Sequence, residues 1–161
     1  MELLQKARSR YDAGEMHDAL EVAQAACEHK PKDAEAWWLL GCISRYTDMP
    51  AASDDAFRRA SQLSRKRPAP VRVDTGRFRM LVEAAVAQLS TDARRRLELT
   101  QIRIAQLPAL EQVRSGVSPD STSLRQRQPE DVLTLFQVNL ENHSGSDGEL
   151  ARLVGRALAR A

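Results

Sequence analysis

The strongest constraint on this chain is that its first half repeats itself. At a shift of 34 residues, Leu3 falls on Trp37, Ala7 on Gly41, Ala23 on Phe57 and Ala26 on Ala60. Pro31-Lys32-Asp33 separates the two copies. Gly14 breaks the first copy after Tyr11, and Asp48-Met49-Pro50 breaks the second after Tyr46. The pattern predicts helices over 2–13, 16–29, 34–46 and 51–64. Two stacked hairpins leave an open apolar end, so a further helix must cover the last one. The stretch GRFRMLVEAAVAQL is the candidate, with Phe78, Leu81, Val82, Ala85, Val86 and Leu89 on one face. The same helix could instead belong to the second half, or serve both.

The second copy, with Trp37-x2-Leu40-Gly41 followed by Phe57 and Ala60, resembles a tetratricopeptide repeat (TPR). Small residues at Gly41 and Ala60 let helices approach closely, and Trp37 and Phe57 fill the space between them. Ser44 stands where the family has Tyr, Ser53 where it has Ala, and Lys6 where the first copy needs an apolar residue. The resemblance implies a groove lined by the first helix of each pair, here Leu4, Arg8, Tyr11, Trp38, Cys42, Arg45 and Tyr46. Its partner would be another protein or peptide. The candidate partner-binding residues are Arg8, Tyr11, Trp38, Arg45 and Tyr46, with Trp38 taken as an exposed anchor. The Lys/Asn clamp that family members close on a C-terminal carboxylate is missing, because Leu4 and Leu39 sit where polar residues are wanted.

Pro68-Ala69-Pro70 reads as a linker. All lysines lie before it, and every basic residue after it is Arg. The organisation expected is a repeat domain over 1–67, a linker over 68–74 and a second domain over 75–161. Within the second domain, Ser90-Thr91-Asp92 caps a short helix near Ala93–Leu97. TQIRIAQLP reads as a strand and ALEQVRSG as a short helix, whereas SPDSTSLRQRQP is polar and irregular. DVLTLFQVNL is the strongest strand signal and, being apolar on both faces, the expected central strand. GELARLVGRALARA forms a last helix with Leu150, Leu153, Val154, Ala157 and Leu158 in one stripe. The fold class is α+β, predominantly helical, with two helical hairpins followed by a small domain holding a short sheet.

The order of FRMLVEAAVAQL, IRIAQLPALEQVRSGVSP, PEDVLTLFQVNLEN and DGELARLV resembles the minimal zincin-like metallopeptidase domain over about residues 75–161. In that family the last helix goes on into HExxH, whose two His hold zinc and whose Glu acts on the bound water. Here the motif is missing: its His and Glu would fall on Ala159 and Arg160, and neither side chain can take over those roles. His17 and His29 belong to the repeat half, and His143 falls in a loop with no second ligand at the right spacing. The expectation is a degenerate, non-catalytic domain with no catalytic residue, metal or cofactor. In the family, a sheet edge beside the cleft pairs with an extended peptide. Here that edge would be Gln101–Leu107 or Val132–Val138, the latter expected to be central.

A net charge of +2 and 4% aromatic residues give no field or stacking surface for nucleic acid. MELLQKARSR lacks the apolar core of a signal peptide, and no apolar run is long enough to span a membrane. Cys27 and Cys42 read as small core residues on helix faces. Together these features favour a cytoplasmic, non-catalytic adaptor. Two alternatives stand beside it: the N-terminal part of a metallopeptidase whose HExxH lies beyond residue 161, and a TPR-type chaperone.

Overall fold

A computed structural model describes residues 2–161, in which the chain divides into two compact units. The first unit contains α1 (Leu3–Asp12), α2 (Met16–His29), α3 (Ala34–Tyr46) and α4 (Pro50–Leu63). Local chemistry sets the breaks between these helices. Gly14 turns the chain at φ +80°, a conformation that costs glycine nothing. The Asp33 carboxylate accepts from the Glu35 and Ala36 amides at 3.0 and 3.4 Å, capping α3. Pro50 opens α4, where its missing N–H has no cost. Ala7, Ala19, Ala23 and Ala60 are buried with Leu39, Ile43 and Phe57 in one apolar cluster.

The two serines that depart from the repeat pattern are both buried, and both donate to backbone. Ser53 bonds the Gly41 carbonyl at 2.6 Å, and Ser44 bonds the Leu40 carbonyl at 2.7 Å. A hydroxyl with a partner is tolerated in a core where an orphan hydroxyl is costly.

The first unit also includes Pro108–Asp120, called here the arm, which contains α7 (Leu110–Arg114). The sequence placed this segment in the second domain. It associates with the first unit because Val113, 2% exposed, joins the cluster of Ala7, Tyr11 and Met16.

The second unit comprises Val71–Leu107 and Ser121–Ala161. Its elements are α5 (Thr75–Ala87), α6 (Thr91–Arg96), β1 (Gln101–Ala105), β2 (Ser123–Gln126), β3 (Val132–Phe136), α8 (Gln137–Asn142) and α9 (Asp147–Arg160). The sheet order is β1-β3-β2, with β1 parallel and β2 antiparallel to β3. β3 is central, and its Val132, Leu133, Leu135 and Phe136 are all buried. The apolar run ends as strand at Phe136 and continues as α8, so Val138 is helical. β2 falls in the stretch read as irregular. Asp74, Ser90 and Ser146 cap α5, α6 and α9. Phe78, Leu133, Leu135, Leu140, Leu150, Val154 and Leu158 form the core, so the α5 stripe serves this unit.

The linker expected over 68–74 is tied down in its second half. The Val71 amide donates to the Ser144 carbonyl at 2.7 Å, and the Val73 amide to the buried Glu141 carboxylate at 2.9 Å. Glu141 also accepts from Arg72 at 3.3 Å and from Gln137 at 3.1 Å, which satisfies a carboxylate that burial would otherwise penalise. Among the described residues, no helix is long and apolar enough to cross a membrane.

Candidate peptide interface

Positions 8 and 11 lie one turn apart on α1, and positions 42, 45 and 46 fall within about a turn on α3. The Tyr11 and Tyr46 rings meet edge to face with centroids 5.9 Å apart, and the Arg8 guanidinium lies 5.5 Å from the Tyr11 ring centre. This aromatic–arginine corner holds the end of the arm. The Tyr11 hydroxyl donates to one oxygen of the Asp120 carboxylate, and Arg8 donates to the other, both at 2.8 Å. The Tyr46 hydroxyl donates to the Pro119 carbonyl at 3.1 Å.

The electrostatics keep these donors as donors. Burial pushes the Tyr11 phenol well above its ordinary value, with the Cys42 and Asp120 groups adding in the same direction. Burial also raises Tyr46, again helped by Asp120. Both phenols therefore retain their protons throughout the neutral range. Arg8 also lies 3.9 Å from Asp12, whose carboxyl is raised by loss of solvent against the pull of Arg8. An open hollow of about 590 Å³ lined by Leu4, Gln5, Arg8, Ser9, Asp12 and Glu35 adjoins the corner.

The five candidate residues do not all converge. Arg8, Tyr11 and Tyr46 meet on Pro119-Asp120. Trp38 is only 3% exposed: it packs edge to face on Phe57 at 6.0 Å, and the Arg67 guanidinium covers its ring at 4.0 Å. Arg67 is itself fixed by Glu35 at 2.6 and 2.9 Å. Arg45 pairs with Asp54 at 3.0 Å within the second hairpin, and its side chain is 18% exposed. Trp38 thus stands in the core rather than on a groove surface. Sequence reasoning missed Val113, Pro119 and Asp120. Their only signal was an isolated Pro-Asp in a polar stretch, a pairing common in ordinary turns.

In the second unit, a hollow of about 300 Å³ is lined by Arg125, Leu133, Leu140, Leu153, Arg156 and Ala157, among others. Ala159 and Arg160, where the zinc motif would fall, are exposed near the end of α9. The Ala159 carbonyl accepts from Arg96 at 2.9 Å. His17, His29 and His143 are all exposed, and among the described residues no three His, Cys, Asp or Glu side chains are grouped as metal ligands. The outer strands are β1 and β2, so Gln101–Ala105 lies at an edge while Val132–Phe136 does not. The chain matches no family model, no curated protein and no solved structure.

Proposed function

We propose that the chain is a non-catalytic interaction protein, a cytoplasmic adaptor whose TPR-like first unit reads a peptide and whose second unit is a degenerate zincin-like domain. The observation that carries this reading is the corner of Arg8, Tyr11 and Tyr46 around Pro119-Asp120. There the helical hairpins hold a short segment, remote in sequence, by side-chain-specific contacts to a carboxylate and a main-chain carbonyl. A face that binds a segment in this way has the donors that peptide recognition needs.

Affinity capture from the source cell's lysate tests the reading, with the full chain as bait and mass spectrometry of what is retained. In an Asp120→Ala background, which frees these donors from the chain's own segment, Arg8→Ala and Tyr46→Phe should each lower retention of a stoichiometric partner by about ten-fold, since a charge-assisted bond and a partly buried hydroxyl bond each contribute on the order of 1–2 kcal/mol. Equal retention by the Asp120→Ala chain and both of its derivatives would contradict it. Trp38→Ala is unsuitable as a binding probe because the ring is core.

A second reading, a zinc metallopeptidase whose HExxH lies beyond Ala161, draws support from α9. This helix packs its apolar stripe into the core and presents its final turn, at Ala159 and Arg160, to solvent. Zinc content and peptidase activity of the product of any longer reading frame would decide that case.

A further inference from the structure

The arm departs from the second unit's chain between β1 and β2 and lies with the first unit. It is anchored at its middle and at its far end. At its middle, Val113 is 2% exposed and packs into the helical core. Beside it the chain passes close to Gly14, where an added Cβ would lie 3.0 Å from Arg114 Cγ. At its far end Pro119 is buried, and Asp120 is gripped by Arg8 and Tyr11. Between the anchors, Arg114, Ser115, Gly116 and Ser118 are exposed.

From this geometry we propose that the arm is a stand-in ligand, and that the face it covers takes a peptide in trans carrying an acidic side chain directly after a proline. This rests on the reading of the first unit as a peptide-binding unit. The acid selectivity follows from the donors. Each Asp120 oxygen accepts a bond, one from a guanidinium that can only donate and stays charged, the other from a phenol that burial keeps protonated. An asparagine in that place would lose the ion pair and could offer its one carbonyl oxygen to only one of the two groups. Tyr46 adds a contact to the carbonyl of the preceding residue, a proline whose fixed φ and buried ring help to hold the backbone in place.

Being covalently attached, the arm competes at an effective concentration in roughly the millimolar range. A free peptide is therefore masked in the wild type, and weakening the arm's own carboxylate contact unmasks the face.

The test is fluorescence anisotropy with the full chain and a labelled synthetic peptide of residues 108–120, beside the same peptide with Asn in place of its final Asp. Asp120→Ala, and the shape-conserving Asp120→Asn should the first fold poorly, should bind the acidic peptide at least about ten-fold more tightly than the wild type does, the scale of one charge-assisted contact. The Asn peptide, or the double variant Arg8→Ala/Asp120→Ala, should lose that gain. Equal binding of the Asp and Asn peptides would overturn the proposal, as would no binding by a variant shown to be folded by circular dichroism. A concentration-dependent wild-type dimer that Asp120→Asn dissolves would also overturn it, in favour of arms exchanged between copies. If peptide binding fails while lysate capture still depends on Arg8, only this proposal falls. If both fail, the peptide-binding reading falls with it.

Discussion

Gly41 faces the Phe57 ring so closely that an added Cβ would lie 2.8 Å from two of its carbons. Phe57 is itself 1% exposed and braced by Trp38, so the ring has little freedom to retreat. Gly41→Ala should therefore destabilise the first unit by roughly 1–3 kcal/mol, the usual cost of overpacking, despite the better helix propensity of alanine. Urea denaturation followed by tryptophan fluorescence would measure it, since Trp37 and Trp38 are the only tryptophans. This contact was legible in the sequence, where Gly41 and Phe57 both fall on packing positions of the second copy. Trp38 was not legible in the same way. Its burial depends on Arg67, which folds back over the ring under the hold of Glu35, and no periodicity encodes that long-range closure. Cys27 carries a second prediction at this scale. Burial, assisted by Asp33 and Glu28, pushes its thiol up to about 12. Cys42 is 1% exposed. Ellman's reagent at pH 8 should thus label neither cysteine rapidly in the native protein and both in denaturant; fast native labelling would contradict the packing.

At the scale of elements, what the sequence could and could not predict divides along physical lines. The four helices of the hairpins, α5 and α9 carry turn or cap signals and apolar stripes, so they were readable within a residue or two. β2 was not, because Leu124 is its only apolar residue and the strand exists by pairing across β3, Leu124 opposite Thr134. The run from Val132 to Leu140 is apolar enough for strand or helix, and the change at Phe136 comes from packing rather than pattern. The short helix of the arm was readable, but its association with the first unit was not: Val113 is one apolar residue in that helix, and its partners lie about a hundred residues earlier in the chain. Two predictions belong here. Glu141→Ala would leave Arg72, the Val73 amide and Gln137 without their shared acceptor, and should cost the second unit roughly 3 kcal/mol in chemical denaturation. Arg67, by hydrogen bond first and charge second, holds the Glu35 carboxyl below its ordinary value of 4.5. A depressed carboxyl stabilises the fold fully above the unfolded value, and that contribution is lost as pH falls through the lower folded value. The first unit should accordingly lose stability below about pH 4.5, and Glu35→Gln should flatten that part of the acid limb in thermal melts.

Across the whole molecule, two units with separate cores share one chain, and the arm makes the first of them discontinuous in sequence. A near-neutral net charge of +2 gives little long-range steering, so the proposed recognition would rest on short-range contacts such as those at Asp120. The proposed face is formed by α1 and α3 around Arg8, Tyr11 and Tyr46. Hydrogen–deuterium exchange of the full chain, with and without its captured partner, tests it most directly. Binding at this face should slow exchange in α1 and α3 and speed it over 113–120 as the arm gives way. Protection confined to β1 or β2, with the arm and the two helices unchanged, would contradict it.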